Sequence, residues 1–354
     1  MVVKQFTKYP HIGPSSRYRF YIYNNLLSDD GYIVHSYPLF DENYINSIYS
    51  NKRVSFLKIL FRYFYRVFLI FKITKKDIVF IEGEFFPYFS SLFEIYLARR
   101  GIKYIVDYDD AIFHRYDMHS NFLVRYCLRN KIKTVIKHSY FCLCGNSYLA
   151  GYASKVKNIN NIIVLPTVVD QAKYKGTKLI NDVPVIGWIG NPSTASYIQD
   201  LERVFIDLLK EFNFKLHLIG LTDNPFTSVK AKILPWAEDT EIRDLIEVDI
   251  GIMPLRDSPW ERGKCGFKLI QYMSLGKPVI ASKVGTNCEI IDHGKNGFLC
   301  KNKNEWKSSF EKLLASENLR KEFGAHARDK MKQSYNHKKN YIIIKRLLEK
   351  CVES

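Results

Sequence analysis

Nine short apolar runs, each ending in polar or turn-forming residues, constrain this chain more than any other feature. Four lie in the first half: "KDIVFIEG" (76–83), "IKYIVDYDD" (102–110), "SYFCLCGN" (139–146) and "NIIVLPT" (161–167). Five follow in the second half: "VPVIGWIGN" (183–191), "FKLHLIG" (214–220), "VDIGIMPL" (248–255), "KPVIASKVG" (277–285) and "GFLCK" (297–301). Helix-like stretches separate them, such as "SRYRFYIYNNLLSDDG" and "SSLFEIYLARRG", the latter closed by Gly101. Strand–helix alternation requires crossover connections, and these require parallel sheets. The expectation is an α/β chain of two doubly wound, Rossmann-like domains facing a central cleft, with ligands beyond the carboxyl ends of the strands. Residues 170–184 are polar, carry a Gly and a Pro, and read as the linker. The expected domains are 1–170 and 171–336, with a terminal helix, 337–354, packing back on the first.

Composition narrows the partners. The chain has 354 residues, 47% hydrophobic and 25% charged, and a net charge of +17. Such a surplus favours an anionic partner. The charge is spread, however: residues 1–170 hold 23 Lys and Arg against 13 Asp and Glu, and 171–354 hold 30 against 23. With no RNP-like, KH or zinc-finger signature, no nucleic-acid partner is expected, and a nucleic-acid-binding protein is a remote alternative. The seven cysteines form no ligand-spaced pairs and read as reduced and mostly buried, as in the cytosol. "MVVKQFTKYPHIG" lacks an apolar core of secretory length, so the chain reads as leaderless.

Residues 54–73, "VSFLKILFRYFYRVFLIFKI", are long enough to span a bilayer, but Lys58, Arg62 and Arg66 interrupt them every four residues. Those cations share one helical face. The expectation is a helix lying in the interface of an anionic membrane, with the cations meeting headgroups and the rings entering the acyl boundary. A domain helix with a solvated basic edge is the alternative.

Two stretches carry chemistry. "IVDYDDAIF" places Asp107, Asp109 and Asp110 at the end of an apolar run. They could hold a divalent metal, orient a substrate hydroxyl, or cap a helix. The second stretch, 248–299, reads as a strand, a loop holding Glu261, Arg262, Gly263 and Lys264, and a helix from about Gly266 and Phe267 to Gly276. A basic, glycine-bearing loop at a helix N-terminus is a diphosphate site in waiting. Lys268 and Gln271, three apart on that helix, share a face. One reaches phosphate and the other a ribose hydroxyl. Gly13, Ser15, Ser16 and Arg17 form a loop-to-helix entry suited to phosphate or acceptor contact, or to capping. Gly190 and Asn191 lie in a small-residue turn after "IGWI". Glu289 either bonds a ribose or marks a helix start. Trp236 either stacks on a base or sits half-buried in the core, and His114 reads as a loop histidine.

The second stretch resembles the donor-binding segment of retaining GT-B glycosyltransferases of the family-4 type, in their bacterial surface-polysaccharide subgroup. The resemblance extends over nearly the whole chain. "KYPHIGPSSRYR" is similar to the first-strand loop of that subgroup, "VDYDDAIF" to its acidic strand end, "VLPTVVD" to its interdomain exit and "IGWIGNPSTASYIQDL" to its first donor-domain turn. The family's glutamate pair maps onto Gly263 and Gln271, with Glu261 the candidate replacement for the first. Its Arg and Lys after the first donor strand map onto Asn191 and Ser196, which leaves the diphosphate to Arg262, Lys264 and Lys268.

The resemblance implies a GT-B enzyme transferring a sugar, with retention, from a nucleotide diphosphate sugar to a lipid-linked or oligosaccharide acceptor in surface-glycan assembly. Asp109 and Asp110 would act on the acceptor side, Asp107 being structural. Cations and a helix dipole would replace any metal, and no cofactor is expected. The enzyme would be cytoplasmic, at the inner face of the plasma membrane. A GT-B epimerase or phosphorylase would share the donor half, and a product assay separates them.

Overall fold

The computed structural model describes residues 1–49, 54–176 and 182–353. Residues 177–181 of the expected linker and Ser354 of the expected terminal helix lie outside them. The chain divides into two compact units. The first comprises Met1–Thr167, Gly263–Cys265 and His337–Ser354, and the second Val168–Arg262 and Gly266–Asn336.

In the first unit, β1 (Val2–Phe6), β2 (Ile33–Ser36), β3 (Asp77–Glu82), β4 (Tyr104–Tyr108), β5 (Phe141–Cys144) and β6 (Ile162–Val164) make one sheet. Its order is β2-β1-β3-β4-β5-β6, and every pairing is parallel. The second unit holds β7 (Val185–Ile189), β8 (Lys215–Ile219), β9 (Lys232–Leu234), β10 (Ile250–Met253), β11 (Val279–Ser282) and β12 (Gly297–Cys300). Their order is β12-β11-β10-β7-β8-β9, again all parallel. Both sheets are doubly wound, with switch points beside β1/β3 and β7/β10. This is the GT-B pair of Rossmann-like domains. Central strands read as unbroken apolar runs because helices cover both faces, and "VIGWI" and "VIAS" are buried throughout.

The aromatic surplus, 24 Tyr and 24 Phe, is concentrated in the first unit. Phe6, Phe85, Tyr104, Tyr108 and Tyr116 fill its core. Phe113 stacks on Tyr152 with centroids 3.6 Å apart. The terminal helix His337–Glu353 also packs here: Asn340 donates to the Pro166 carbonyl (2.8 Å), and Tyr341 to that of Leu26 (2.8 Å).

The helix within 54–73 runs over Phe56–Phe71, and its orientation corrects the basic-stripe expectation. Arg66 is buried, donating to the carbonyls of Thr7, Tyr37 and Phe85. Main-chain acceptors at three loop starts need donors, and a guanidinium carries five. Arg62 pairs with Asp41 at 2.9 Å. Arg62 and Arg66 therefore face the protein, Lys58 stays exposed, and the side left outside is largely aromatic: Phe61, Phe64 and Phe68 are 70%, 65% and 53% exposed. Among the described residues no helix is long and apolar enough to cross a membrane.

Candidate functional site

In the first unit, the carboxyl ends of β1, β3 and β4 open on a pocket. Parallel strands deliver all their carboxyl ends to one edge, which is why residues 8, 82 and 109 meet there. Glu82, Glu84, Asp109 and Asp110 line it with Lys8, Ser15 and Arg115. Glu84 is buried and held by Lys131 and the Tyr116 hydroxyl. Glu82 accepts from the Ser16 hydroxyl (2.6 Å) and the Lys8 amide (2.7 Å). Burial first, and the Asp109 charge second, push the Glu82 carboxyl up to about 7. Asp110 is pushed up to about 6 by burial and then by Asp109, against the pull of the Lys264 ammonium. Two carboxyls that change protonation near neutral pH can exchange protons with, or hydrogen-bond, a substrate hydroxyl. Glu82 escaped the sequence reading, although it ends an apolar run as Asp109 does.

Asp107 stands apart. It is buried, with Arg19 Nε donating to its Oδ2 at 2.8 Å and the guanidinium closing a second bond on Oδ1. The phosphate-loop expectation is corrected too. The Ser16 hydroxyl is bonded to Glu82, and Arg17 is buried, so neither is presented to a phosphate. Gly13 packs so closely on Tyr9 that an added Cβ would lie 2.4 Å from the tyrosine Cβ. His114 bonds Asp117 and the Tyr148 hydroxyl at 2.8 Å each, the pattern of a structural histidine.

The loop after β10 is divided. Gly263–Cys265 counts with the first unit. There Asn146 Nδ2 donates to the carbonyls of Gly263 (2.9 Å) and Lys264 (3.1 Å). The Cys265 thiol donates to the Asp109 carbonyl at 2.7 Å. Two glycines permit the approach: a Cβ on Gly145 would lie 2.1 Å from Cys265 Sγ, and one on Gly263 2.3 Å from Ala111 Cβ. Lys264 is thereby set beside Asp110.

The rest of the loop belongs to the second unit. Gly266, at φ +67°, caps the helix Phe267–Ser274, a conformation that excludes most side chains. Lys268, one residue inside the helix, lies 4.4 Å from the Trp188 ring centroid. A Cβ on Gly190, at the end of β7, would be 2.9 Å from its Nζ. Lys268, Gly190 and the helix N-terminus thus meet at the β7/β10 switch point.

Other expected donor residues are differently placed. Gln271 is buried and donates to the Tyr174 hydroxyl at 3.0 Å, which corrects its pairing with Lys268 toward one ligand. Tyr174 in turn meets Glu241 (3.3 Å), which accepts the Trp236 indole at 2.6 Å. Glu261 is buried, with the hydroxyls of Tyr197 and Ser258 donating to it. Arg262 forms an exposed pair with Asp257 at 2.6 Å. Asn191 is exposed and, with Thr194, caps the turn Pro192–Thr194, while Glu289 is exposed near the end of β11. Among the described residues no trio of His, Cys, Asp or Glu is arranged to hold a metal ion.

Residues 183–316 match the family described as Glycosyl transferases group 1. An uncharacterized glycosyltransferase of Methanocaldococcus jannaschii is 28% identical over 227 residues, 64% of this chain and 48% of that protein. The chain spans about half the length of the curated relatives it matches. Sucrose-phosphate synthase from Thermosynechococcus elongatus superposes with a TM-score of 0.73 at 13% identity, covering 99% of this chain and 98% of that one. HepE of Anabaena, solved in complex with UDP, gives 0.64 at 12% identity, covering 99% of each. The whole chain takes the GT-B fold, and its second unit carries the Glycosyl transferases group 1 match.

Proposed function

We propose that this protein is a retaining glycosyltransferase, moving a sugar from a nucleotide diphosphate sugar to a lipid-linked or oligosaccharide acceptor in surface-glycan assembly. The observation that carries the reading is the Lys268 ammonium held over Trp188, beside Gly190 and the N-terminus of Phe267–Ser274. A fixed cation beside a helix N-terminus at a switch point binds a diphosphate and stabilises it as it leaves. UDP is the first nucleotide to try, because HepE was solved with it. The first-unit pocket, with Asp109, Asp110 and Glu82, receives the acceptor hydroxyl. Lys268 and the helix N-terminus neutralise the leaving group without a metal or other cofactor.

The protein works at the inner face of the plasma membrane. The aromatic face of Phe56–Phe71 makes the contact, since Arg66 is withdrawn into the core.

A thermal-shift screen over UDP, GDP, ADP and CDP sugars tests the donor half. One matched donor should raise Tm, and transfer should then proceed in EDTA with the anomer retained. No stabilisation by any nucleotide sugar would refute the reading, and strict Mn²⁺ or Mg²⁺ dependence would refute the metal-free site.

A further inference from the structure

Phe122–Leu128, a helix of the first unit, buries none of its residues. Phe122, Leu123 and Tyr126 are 63–66% exposed on it. Seven residues cannot hold a helix in water by propensity alone; this one is anchored by Val124 and Leu128, partly buried against the core, while its other face stays outside. It is tied into the aromatic surface of Phe56–Phe71 by a continuous chain of contacts. Tyr63 donates to the Pro87 carbonyl at 3.1 Å. Tyr88, exposed and at φ +60°, meets the His119 ring edge-on at 6.0 Å. His119 accepts the amide of Asn121, whose side chain caps the helix. Pro87 also lines the acidic pocket, so the pocket wall runs directly into this surface.

Charge identifies the occupant. Residues 54–76 contain no Asp or Glu, and neither do 118–138. Arg125 and Arg129 are exposed on and beside the short helix, and Lys72 lies 4.1 Å from the Phe68 ring centroid. Exposed rings among cations, with acids absent from both stretches, match an anionic bilayer interface: the rings enter the acyl boundary while the cations remain at the headgroups.

We infer that the first unit docks on anionic bilayers through a composite surface, Phe56–Phe71 together with Phe122–Leu128, which sets the acidic pocket at the membrane. This extends the membrane half of the proposed function and does not depend on the transfer reaction. An acceptor with a lipid anchor would then reach the pocket without leaving the bilayer.

The test is co-sedimentation of the full chain with vesicles of phosphatidylcholine, with and without phosphatidylglycerol. Wild type should bind the anionic vesicles. The triple variant Phe122→Ser, Leu123→Ser, Tyr126→Ser should lower partitioning about tenfold or more, each ring contributing separately. Arg125→Glu with Arg129→Glu should lower it for anionic vesicles alone. Hydrogen exchange on wild type, which needs no variant, should show protection of 122–128 when vesicles are added. Unchanged partitioning of the serine variant, or unprotected amides, would overturn the inference. So would concentration-dependent dimerisation that hides these residues while the vesicles leave the protein in solution.

Discussion

Arg19 grips both carboxylate oxygens of Asp107 and reaches past it to the carbonyl of Leu165 and the hydroxyl of Thr167. A buried, bidentate pair fixes the carboxyl end of β4 against the chain's exit from the first unit. Removing either partner strands the other's charge in the core, at a cost of about 3–5 kcal/mol. Asp107→Asn and Arg19→Met should therefore lower the urea midpoint sharply. Asp109→Asn, half-buried at the pocket, should change turnover with little change in that midpoint. Equal destabilisation by all three would place Asp109 in the scaffold as well.

Glu82 makes stability depend on pH in a stated direction. Folded, it holds its proton up to about pH 7; unfolded, it releases it near 4.5. The folded state thus binds more protons between those values, and its stability falls as pH rises through that window. Urea unfolding at about pH 5 and pH 8 should show wild type losing more stability than Glu82→Gln. Parallel losses would mean that another group carries the proton.

Much of this was legible in the sequence because parallel central strands are buried on both faces and leave uninterrupted apolar runs. All nine runs are strands. β1, "VVKQF", was missed because Lys4 and Gln5 break its apolar run, and β2 and β9 were invisible for the opposite reason. They are edge strands of four and three residues, half exposed, with "IVHS" and "KIL" too short and mixed to stand out. Site residues were legible where a loop's chemistry is local, as with Lys268 and Asp109. Helix spacing put Gln271 near Lys268, but periodicity does not say which side chain finds a buried partner. Tyr174, 97 positions away, decided that. The basic stripe failed in the same way: the carbonyls of Thr7, Tyr37 and Phe85 claimed Arg66, which no local pattern reveals.

Lys268 and Gln271 should therefore separate experimentally. If the Lys268 ammonium meets the diphosphate, Lys268→Ala should weaken UDP binding in calorimetry by about 1.5–3 kcal/mol, the value of a charge-assisted hydrogen bond. Gln271→Leu should lower Tm through the lost Tyr174 partner and leave UDP affinity near wild type. The reverse pattern would return Gln271 to the donor site and remove Lys268 from it.

Asn146 is the residue that holds Gly263–Cys265 beside the acidic motif, and the thiol of Cys265 reports whether it does so. Burial pushes that thiol well above its ordinary value, so it should be slow toward thiol reagents. Cys127 and Cys288 are exposed and Cys351 half-buried, so all three are replaced by Ser to clear the background. In that protein Asn146→Asp keeps the side-chain oxygen that accepts the Leu149 amide (2.9 Å) and caps Ser147–Ala153. It loses the N–H donors to Gly263 and Lys264 and turns a carboxylate toward their carbonyls. Labelling of Cys265 should accelerate at least tenfold, roughly the weight of one or two net hydrogen bonds. The far-UV spectrum should not change. With Lys264 released from Asp110, the acid limb of the rate profile should move upward from about pH 6, because the ammonium was lowering that carboxyl. Unchanged labelling with a shifted limb would show that the introduced carboxylate acts on Asp110 by charge alone, and the tripeptide would then be held by its two glycine contacts.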